Sequence, residues 1–355
     1  MNTDRPRLLT GDRPTHRLHL GHYAGSLRTR LELQDRAECF FLVADLHTLT
    51  TRPQPEAIAA SRRFAREIVL DYLSVGIDPE RAAIALQSAV QEVYELQLLL
   101  GMLVSAARLE RIPSLKEMAR NARLGALPFG LLGYPVLQAA DILLPRATLV
   151  PVGKDNQAHV EVAREIARRF NRLYGEVFPL PRALLSRQPS LVGTDGRARM
   201  SKSLGNTIDL ADPPEAVRAK VLRMVTDPQR VHADVPGRVR DNPVFVYHRA
   251  FNADADQVAD LEARYRRGAV GDVEVKERLI EALNRFLEPI RARRRALETR
   301  PGLAEEVLHD GTARLRREAA RTMAAVRQAM GLEGLTPGAS APQAADFAGA
   351  HSGAA

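Results

Sequence analysis

The sequence predicts an α/β protein: a doubly wound parallel sheet, Rossmann-like, followed by an α-helical bundle. Three observations predict it. Between residues 8 and 170, short continuous apolar runs alternate with longer stretches of helical spacing, the order expected of parallel strands joined by helices. From Pro213 onward the pattern is helical, with no strand signal of comparable strength. The first apolar run also leads straight into Pro14-Thr15-His16-Arg17-Leu18-His19-Leu20-Gly21-His22. A turn that feeds a helix in this way offers free N–H groups and the positive end of the helix dipole to an anion.

The elements follow in order. Leu8 to Gly11 is the first strand, and Tyr23 to Leu33 the first helix. Cys39 to Ala44 is an uninterrupted apolar run, as suits a parallel strand buried on both faces, and it ends at Asp45-Leu46-His47. Ile58 to Val75 has helical spacing and is stopped by Gly76-Ile77-Asp78-Pro79. Ala82 to Gln87 is the third strand, and Val93 to Met118 is helical with a break near Pro113. Gly130 to Leu144 reads as a mostly apolar helix carrying one acid, Asp141, and a buried carboxylate needs a partner. Thr148 to Val152 is the fourth strand, joined through Gly153-Lys154-Asp155-Asn156-Gln157 to a helix over Ala158 to Phe170. In a sheet of this kind ligands sit beyond the carboxyl ends of the strands. The opening turn, Asp45 with His47, and Asp155 are therefore expected around one crevice.

Leu185 to Asp209 reads as loop and contains Arg199-Met200-Ser201-Lys202-Ser203. Helices are expected over Pro214–Val225, Asn242–Phe251, Val273–Leu297 and Ala313–Met330. The chain so divides into a sheet domain over 1–212, a helical domain over 213–332, and a disordered tail over 333–355, rich in Ala, Gly, Ser and Pro. A net charge of +8 suits a polyanionic partner, although Arg is used freely throughout. Cys39 is the single cysteine, which excludes an internal disulfide and any zinc site built on several thiolates. Without a signal peptide or an apolar stretch long enough to span a bilayer, a soluble cytoplasmic protein is expected, with no membrane partner.

Gly-x-Gly-x-x-Gly and Gly-x4-Gly-Lys-Ser/Thr are both absent, which removes the usual dinucleotide and P-loop readings. His19-Leu20-Gly21-His22 suits a nucleotidyl transferase that grips a triphosphate while another group attacks the α-phosphorus. Two cations in the Arg199–Ser203 stretch suit a departing pyrophosphate, whose charge grows in the transition state. Taken singly, His-Leu-Gly-His is as compatible with two surface histidines on a helix, and the Arg199–Ser203 stretch reads more readily as a solvated basic loop.

His19-Leu20-Gly21-His22 resembles the HIGH motif, and Arg199-Met200-Ser201-Lys202-Ser203 the KMSKS motif, of class I aminoacyl-tRNA synthetases. Asp45-Leu46-His47, Tyr134 to Asp141, Val150 to Asp155, Val225-Thr226-Asp227-Pro228 and Gln328 to Leu332 are similar to the subgroup for tryptophan and tyrosine, and to its tryptophan branch. The resemblance implies ATP with Mg2+, L-tryptophan and tRNA(Trp) as substrates, a homodimer, and no structural metal. It implies that Lys202, Arg199, His19 and His22 act on the phosphates, in an ATP site completed by Gly11, Arg13, Gly21, Gly153, Asp155, Met200, Ser201 and Ser203. It implies an amino-acid pocket of Leu9, His47, Tyr134, Gln138, Asp141, Val152, Asn156 and Gln157, with Asp141 accepting the indole N–H. The helical domain would then read the anticodon, with Arg291, Arg294, Arg314, Arg317 and Arg321 on the tRNA.

Arg199 stands where the motif has lysine, keeping the charge but not the point geometry of an ammonium. The order Gly153-Lys154-Asp155-Asn156-Gln157 leaves open which amide meets the substrate. Two alternatives remain at this point: a tyrosine-specific relative, and a synthetase-like paralogue with a binding role. A different HxGH nucleotidyl transferase, such as a cytidylyltransferase, is disfavoured by the long helical region.

Overall fold

The computed structural model describes residues 5–122, 124–153, 156–185, 191–196, 200–201 and 204–333. Its centre is a five-stranded sheet of β1 (Arg7–Asp12), β2 (Glu38–Val43), β3 (Ala82–Leu86), β4 (Leu149–Val152) and β5 (Arg182–Leu185). The order is β3-β2-β1-β4-β5, and every pair is parallel. The chain winds outward from β1 to β3 and then returns to lay β4 beside β1. The switch point between β1 and β4 is therefore where a crevice opens. The expected fold class holds, and the first four strands fall where the apolar runs put them. β5 was not expected: Arg182–Leu185 is a short edge strand, exposed or half-buried along its length, so it carries no continuous apolar signal.

Side chains alternate between the two faces. Leu8, Cys39, Phe41, Val43, Ala82 and Ile84 point to one side, and Leu9, Phe40, Leu42, Ala83, Ala85 and Val150 to the other. The first face is covered by helix Pro55–Val75 and by a helical run over 20–33, within which Tyr23–Leu27 forms a π-type turn. Helix Pro55–Val75 starts on a proline at its first turn, where the missing N–H costs nothing, and stops at Gly76 in the left-handed region (φ 107°). The second face is covered by helices Glu92–Gly101, Tyr134–Leu143 and Gln157–Tyr174. The helical stretch expected over Val93–Met118 is three helices, Glu92–Gly101, Ala106–Glu110 and Pro113–Asn121. The expected break near Pro113 is present, with Pro113 beginning the third helix, and a second break after Gly101 was not expected.

Beyond 213 lie helices Pro214–Leu222, Pro243–Phe251, Ala255–Arg266, Asp272–Glu298 and Leu303–Ala329. The polar Ala255–Arg266 was not foreseen, and the last helix starts ten residues before the expected Ala313. A boundary near 213 divides the chain by pattern but not by packing. Val217, Val244, Phe245, Leu279 and Leu287 share one continuous apolar core with Phe41 and Ile68. The last helix returns to the sheet. Leu303, Ala304 and Val307 join the core of the first face, while Leu315, Ala319, Met323 and Val326 join that of the second. It crosses β3 at Gly311, where a Cβ would lie 2.0 Å from the Ile84 carbonyl oxygen, and Thr312 Oγ1 accepts the Leu86 N–H at 3.0 Å. The sheet edge is thereby covered, and one of its backbone donors is satisfied. Among the described residues no helix is long and apolar enough to cross a membrane. Most of the tail, from residue 334, lies outside the described residues.

Candidate active site

The opening turn is held on both sides. Leu20 N–H donates to Ile208 O at 2.9 Å and Leu210 N–H to Leu18 O at 3.0 Å, so His19 pairs antiparallel with Asp209. Leu18 N–H donates to the buried carboxylate of Asp71 at 2.8 Å. Within the turn, His19 Nδ1 accepts the Gly21 N–H at 3.1 Å, and His22 Nδ1 accepts the His19 N–H at 3.2 Å. A ring that accepts at Nδ1 carries its proton on Nε2 when neutral. The two rings, 3.9 Å apart between centroids, are thus set as Nε2–H donors at the start of a helical run. Two N–H donors placed in this way are suited to oxygens of an anion.

Gly21 has a local reason. A Cβ there would sit 2.9 Å from the His19 ring and 3.2 Å from Met200 Cβ, and Gly21 N–H approaches Met200 Sδ at 3.2 Å. The two signature stretches, far apart in sequence, therefore touch. Met200 is buried, and the backbone around it is braced by Asn206. Ser201 N–H donates to Asn206 Oδ1 at 2.7 Å, Asn206 Nδ2 to Asp195 Oδ1 at 3.0 Å, and Thr194 N–H to Asn206 O at 3.0 Å. Arg199, Lys202 and Ser203, with Lys154 and Asp155, lie outside the described residues. Arg13 is exposed beside the turn. Gly11 is required by the sheet, since a Cβ would meet Leu42 O at 2.2 Å.

Beneath the turn, Arg30 Nη1 donates to Asp12 Oδ2 (2.7 Å) and to Tyr72 Oη (2.8 Å), and Tyr72 O–H donates to Asp12 Oδ2 (2.7 Å). Burial works to raise the Asp12 carboxyl. The nearby Arg30 guanidinium, with His22 and Tyr72, outweighs it and holds the group below the usual carboxylate range. Asp12 ends β1, so this ionised group fixes the strand end to the helix that carries the turn.

The second half of the site lies at the ends of β2 and β3. Asp141 on helix Tyr134–Leu143 is buried, as expected, and its partners come from within the chain. His47 Nε2–H donates to Oδ2 at 2.8 Å, and Gln87 Nε2 reaches Oδ1 at 3.0 Å and Oδ2 at 2.8 Å. Gln87 Oε1 in turn accepts the His47 backbone N–H at 3.3 Å. A carboxylate has about four lone-pair sites, so these donors leave it able to accept one more. The Tyr134 ring lies 4.4 Å from the His47 ring and 5.3 Å from the His159 ring. His159 Nδ1–H donates to Gln138 Oε1 at 2.8 Å, and Ser114 O–H donates to His159 Nε2 at 2.6 Å, which orients the Gln138 amide. Leu9 of β1 and Val152 of β4 flank the switch point, and Thr10 O–H ties the two strands at Pro151 O (3.1 Å). Asn156 is half-buried and Gln157 exposed at the start of the next helix.

His47, Tyr134, Gln138 and Asp141 are thus brought together, and His19, Gly21, His22, Met200 and Ser201 form a second group. Sequence reasoning missed Gln87, His159 and Ser114. The available signal for Gln87 was one amide closing an apolar strand. Two of the arginines expected on tRNA are turned inward. Arg291 is buried against Glu288, Asn284 and the Asp212 carbonyl, and Arg294 against Asp71, Glu67 and Glu298. Helical periodicity puts these positions, three apart, on the face toward the sheet domain, where Asp71 and Glu67 meet Arg294 and the Asp212 carbonyl meets Arg291. Arg314 is half-buried and donates to Pro79 O and Glu80 O. Arg317 and Arg321 are exposed, Arg321 beside Glu318 at 2.6 Å. Among the described residues no group of three or more His, Cys, Asp or Glu could hold a metal ion.

Comparison with known proteins matches this arrangement. The family model described as tRNA synthetases class I (W and Y) matches residues 1–288. The tryptophan–tRNA ligase of Treponema pallidum is 65% identical over 326 residues, covering 92% of this chain and 97% of the relative. That of Chlamydia caviae is 52% identical over 332 residues, covering 92% and 96%. The crystal structure of Campylobacter jejuni tryptophanyl-tRNA synthetase with ADP and tryptophan superposes with a TM-score of 0.80 at 33% identity, covering 92% of this chain and 99% of that one. With the HIGH-like turn packed on the KMSKS-like stretch at the switch point of a parallel sheet, the chain belongs to the class I tRNA synthetases of the tryptophan and tyrosine family.

Proposed function

We propose that the protein is a tryptophan–tRNA ligase of the cytoplasm, which activates L-tryptophan with ATP and transfers it to tRNA(Trp). The observation that carries the choice of amino acid is the buried Asp141 acceptor, held by His47 and Gln87 beneath Tyr134. Its remaining lone pair suits an indole N–H, and the relatives above carry the same name. In the first step the tryptophan carboxylate attacks the α-phosphorus, the α–β phosphoanhydride bond breaks, and pyrophosphate leaves. In the second the 2′-hydroxyl of the terminal adenosine attacks the acyl carbon and AMP leaves. The attacking carboxylate is already ionised, so no strong general base is needed, and the protein contributes position and charge. His19 and His22 hold the triphosphate, Lys202 and Arg199 neutralise the departing pyrophosphate, and magnesium arrives with ATP as part of the substrate. Amino-acid-dependent ATP–pyrophosphate exchange, run with each of the twenty amino acids, tests this. No exchange with tryptophan, or faster exchange with tyrosine, overturns it.

Lys202→Ala is expected to lower kcat of exchange about 10²–10³-fold while leaving KM for tryptophan within about threefold. Equal changes in both would make the loop a ground-state binder. Dimer formation is supported by an apolar stripe on helix Glu92–Gly101, where Tyr94, Leu98 and the adjoining Met102 recur every fourth residue and are 46%, 65% and 68% exposed. Phe129, 85% exposed, begins the Phe129–Gly133 turn, which lies beside Gln97 of the same helix. Apolar surface of this kind is expected against a second copy. Leu98→Glu should then halve the sedimentation mass, and a wild-type mass of one 39.2 kDa chain would count against the dimer. Arg317 and Arg321 remain as phosphate contacts, whose affinity falls with salt.

A further inference from the structure

Two buried arginines three residues apart on helix Asp272–Glu298 reach the opening turn from both sides. Arg294 Nη1 meets Asp71 Oδ1 at 2.5 Å, and Asp71 Oδ2 accepts the Leu18 N–H, one residue before His19. In parallel, Arg294 Nη2 meets Glu67 Oε2 at 2.5 Å, and the same oxygen takes Arg17 Nε at 2.7 Å. On the other side Arg291 Nη1 donates to Asp212 O at 3.2 Å, and Asp212 Oδ2 accepts the N–H of Asp209, the residue paired with His19. We infer that Arg294, acting through Asp71 and Glu67, is a positioning residue for the ATP grip, so that the helical region sets the register of the turn that presents His19 and His22. This rests on the reading of that turn as the ATP site.

The chemistry of the link supports a role beyond packing. Fully buried, the Asp71 carboxyl is pushed up to about 7 against the pull of Arg294. Without the guanidinium the carboxyl is pushed further up and becomes a weaker acceptor for Leu18 N–H, so this route from Arg294 to the turn passes through a single carboxyl group. A well-packed apolar group in its place would fill the space as well, and buried ion pairs often add little net stability. The link is therefore better suited to fixing a geometry than to holding the fold.

The test is exchange kinetics on Arg294→Gln, Asp71→Asn and the double variant, each checked for native circular dichroism. Arg294→Gln should raise KM for ATP about tenfold while KM for tryptophan stays within twofold, and the double variant should be no worse than the poorer single one. Arg294→Lys, which keeps the charge, should recover part of the loss. Arg230→Gln is the comparison. That arginine is also buried, but it bonds to the carbonyls of Ala233, Val235 and Val270, pairs with Asp272 at 3.7 Å and stacks on Tyr265, none of which is hydrogen-bonded to the opening turn, so it should cost stability and leave KM for ATP unchanged. Should Arg294→Gln fail to fold, Arg17→Gln cuts the half-exposed outer link and should raise KM for ATP about threefold. The inference falls if the folded variants keep wild-type KM for ATP, if both KM values rise together, or if the two substitutions add. Wild-type protein lacking exchange activity removes the ATP-site reading and the inference with it; active wild type with unaltered variants removes the inference alone.

Discussion

Asp141→Asn is expected to lower kcat/KM for tryptophan about 10²–10³-fold in pyrophosphate exchange, with KM for ATP within about twofold. An asparagine at this position has one oxygen where the carboxylate has two. Its NH2 must stand either at the Oδ2 position, facing both the His47 Nε2–H and the Gln87 amide N–H at 2.8 Å, or at the Oδ1 position, facing the Gln87 amide N–H at 3.0 Å. One donor is therefore left facing another donor in a buried place, a cost of about 1–3 kcal/mol. The acceptor offered to the indole is also neutral rather than charged. Sites built to bond a polar substrate group lose discrimination by orders of magnitude when that bond is lost, and about 2.7 kcal/mol corresponds to a hundredfold. If KM for ATP rose by the same factor, the acid would not belong to an amino-acid pocket.

Gly311→Ala is expected to destabilise the protein by about 3 kcal/mol or more, read as a lower urea midpoint. The added Cβ would lie 2.0 Å from Ile84 O and 2.6 Å from Ile84 N. Both are backbone atoms of a strand pinned in the sheet, so nothing flexible can give way, and relief requires the last helix to lift from β3. Gly101→Ala is the control. Nothing lies within 4 Å of the Cβ it would add, at the exposed end of a helix, so it should be neutral or slightly stabilising.

Legibility in the sequence followed burial. β1 to β4 were readable because strands buried on both faces read as unbroken apolar runs, whereas β5, an edge with little buried surface, left no such trace. The HIGH-like and KMSKS-like stretches were readable as chemistry, and their contact at Gly21 and Met200 emerged only from the fold. Asp141 announced itself as an acid in an apolar helix, but Gln87 did not, because one polar residue at the end of a strand is commonplace. The arginines were the misreading. Arg291 and Arg294 look like neighbouring exposed cations, yet Arg294 is turned inward by Asp71 and Glu67, some 220 positions earlier, and Arg291 by the Asp212 carbonyl. The clue was on that earlier helix, where Asp71 sits between the apolar Leu70 and Tyr72.

The return of the last helix to β3 also constrains how the chain can be made. A ribosome releases the strands first, and the residues that cover the β3 edge, Gly311 to Val326, emerge only after all five of them. Until then the nascent sheet presents an unpaired strand and an apolar flank, the features that template intermolecular pairing. Chains terminated near residue 300 should therefore be recovered as aggregates and not as a smaller working sheet domain, whatever the completeness of their nucleotide-binding residues.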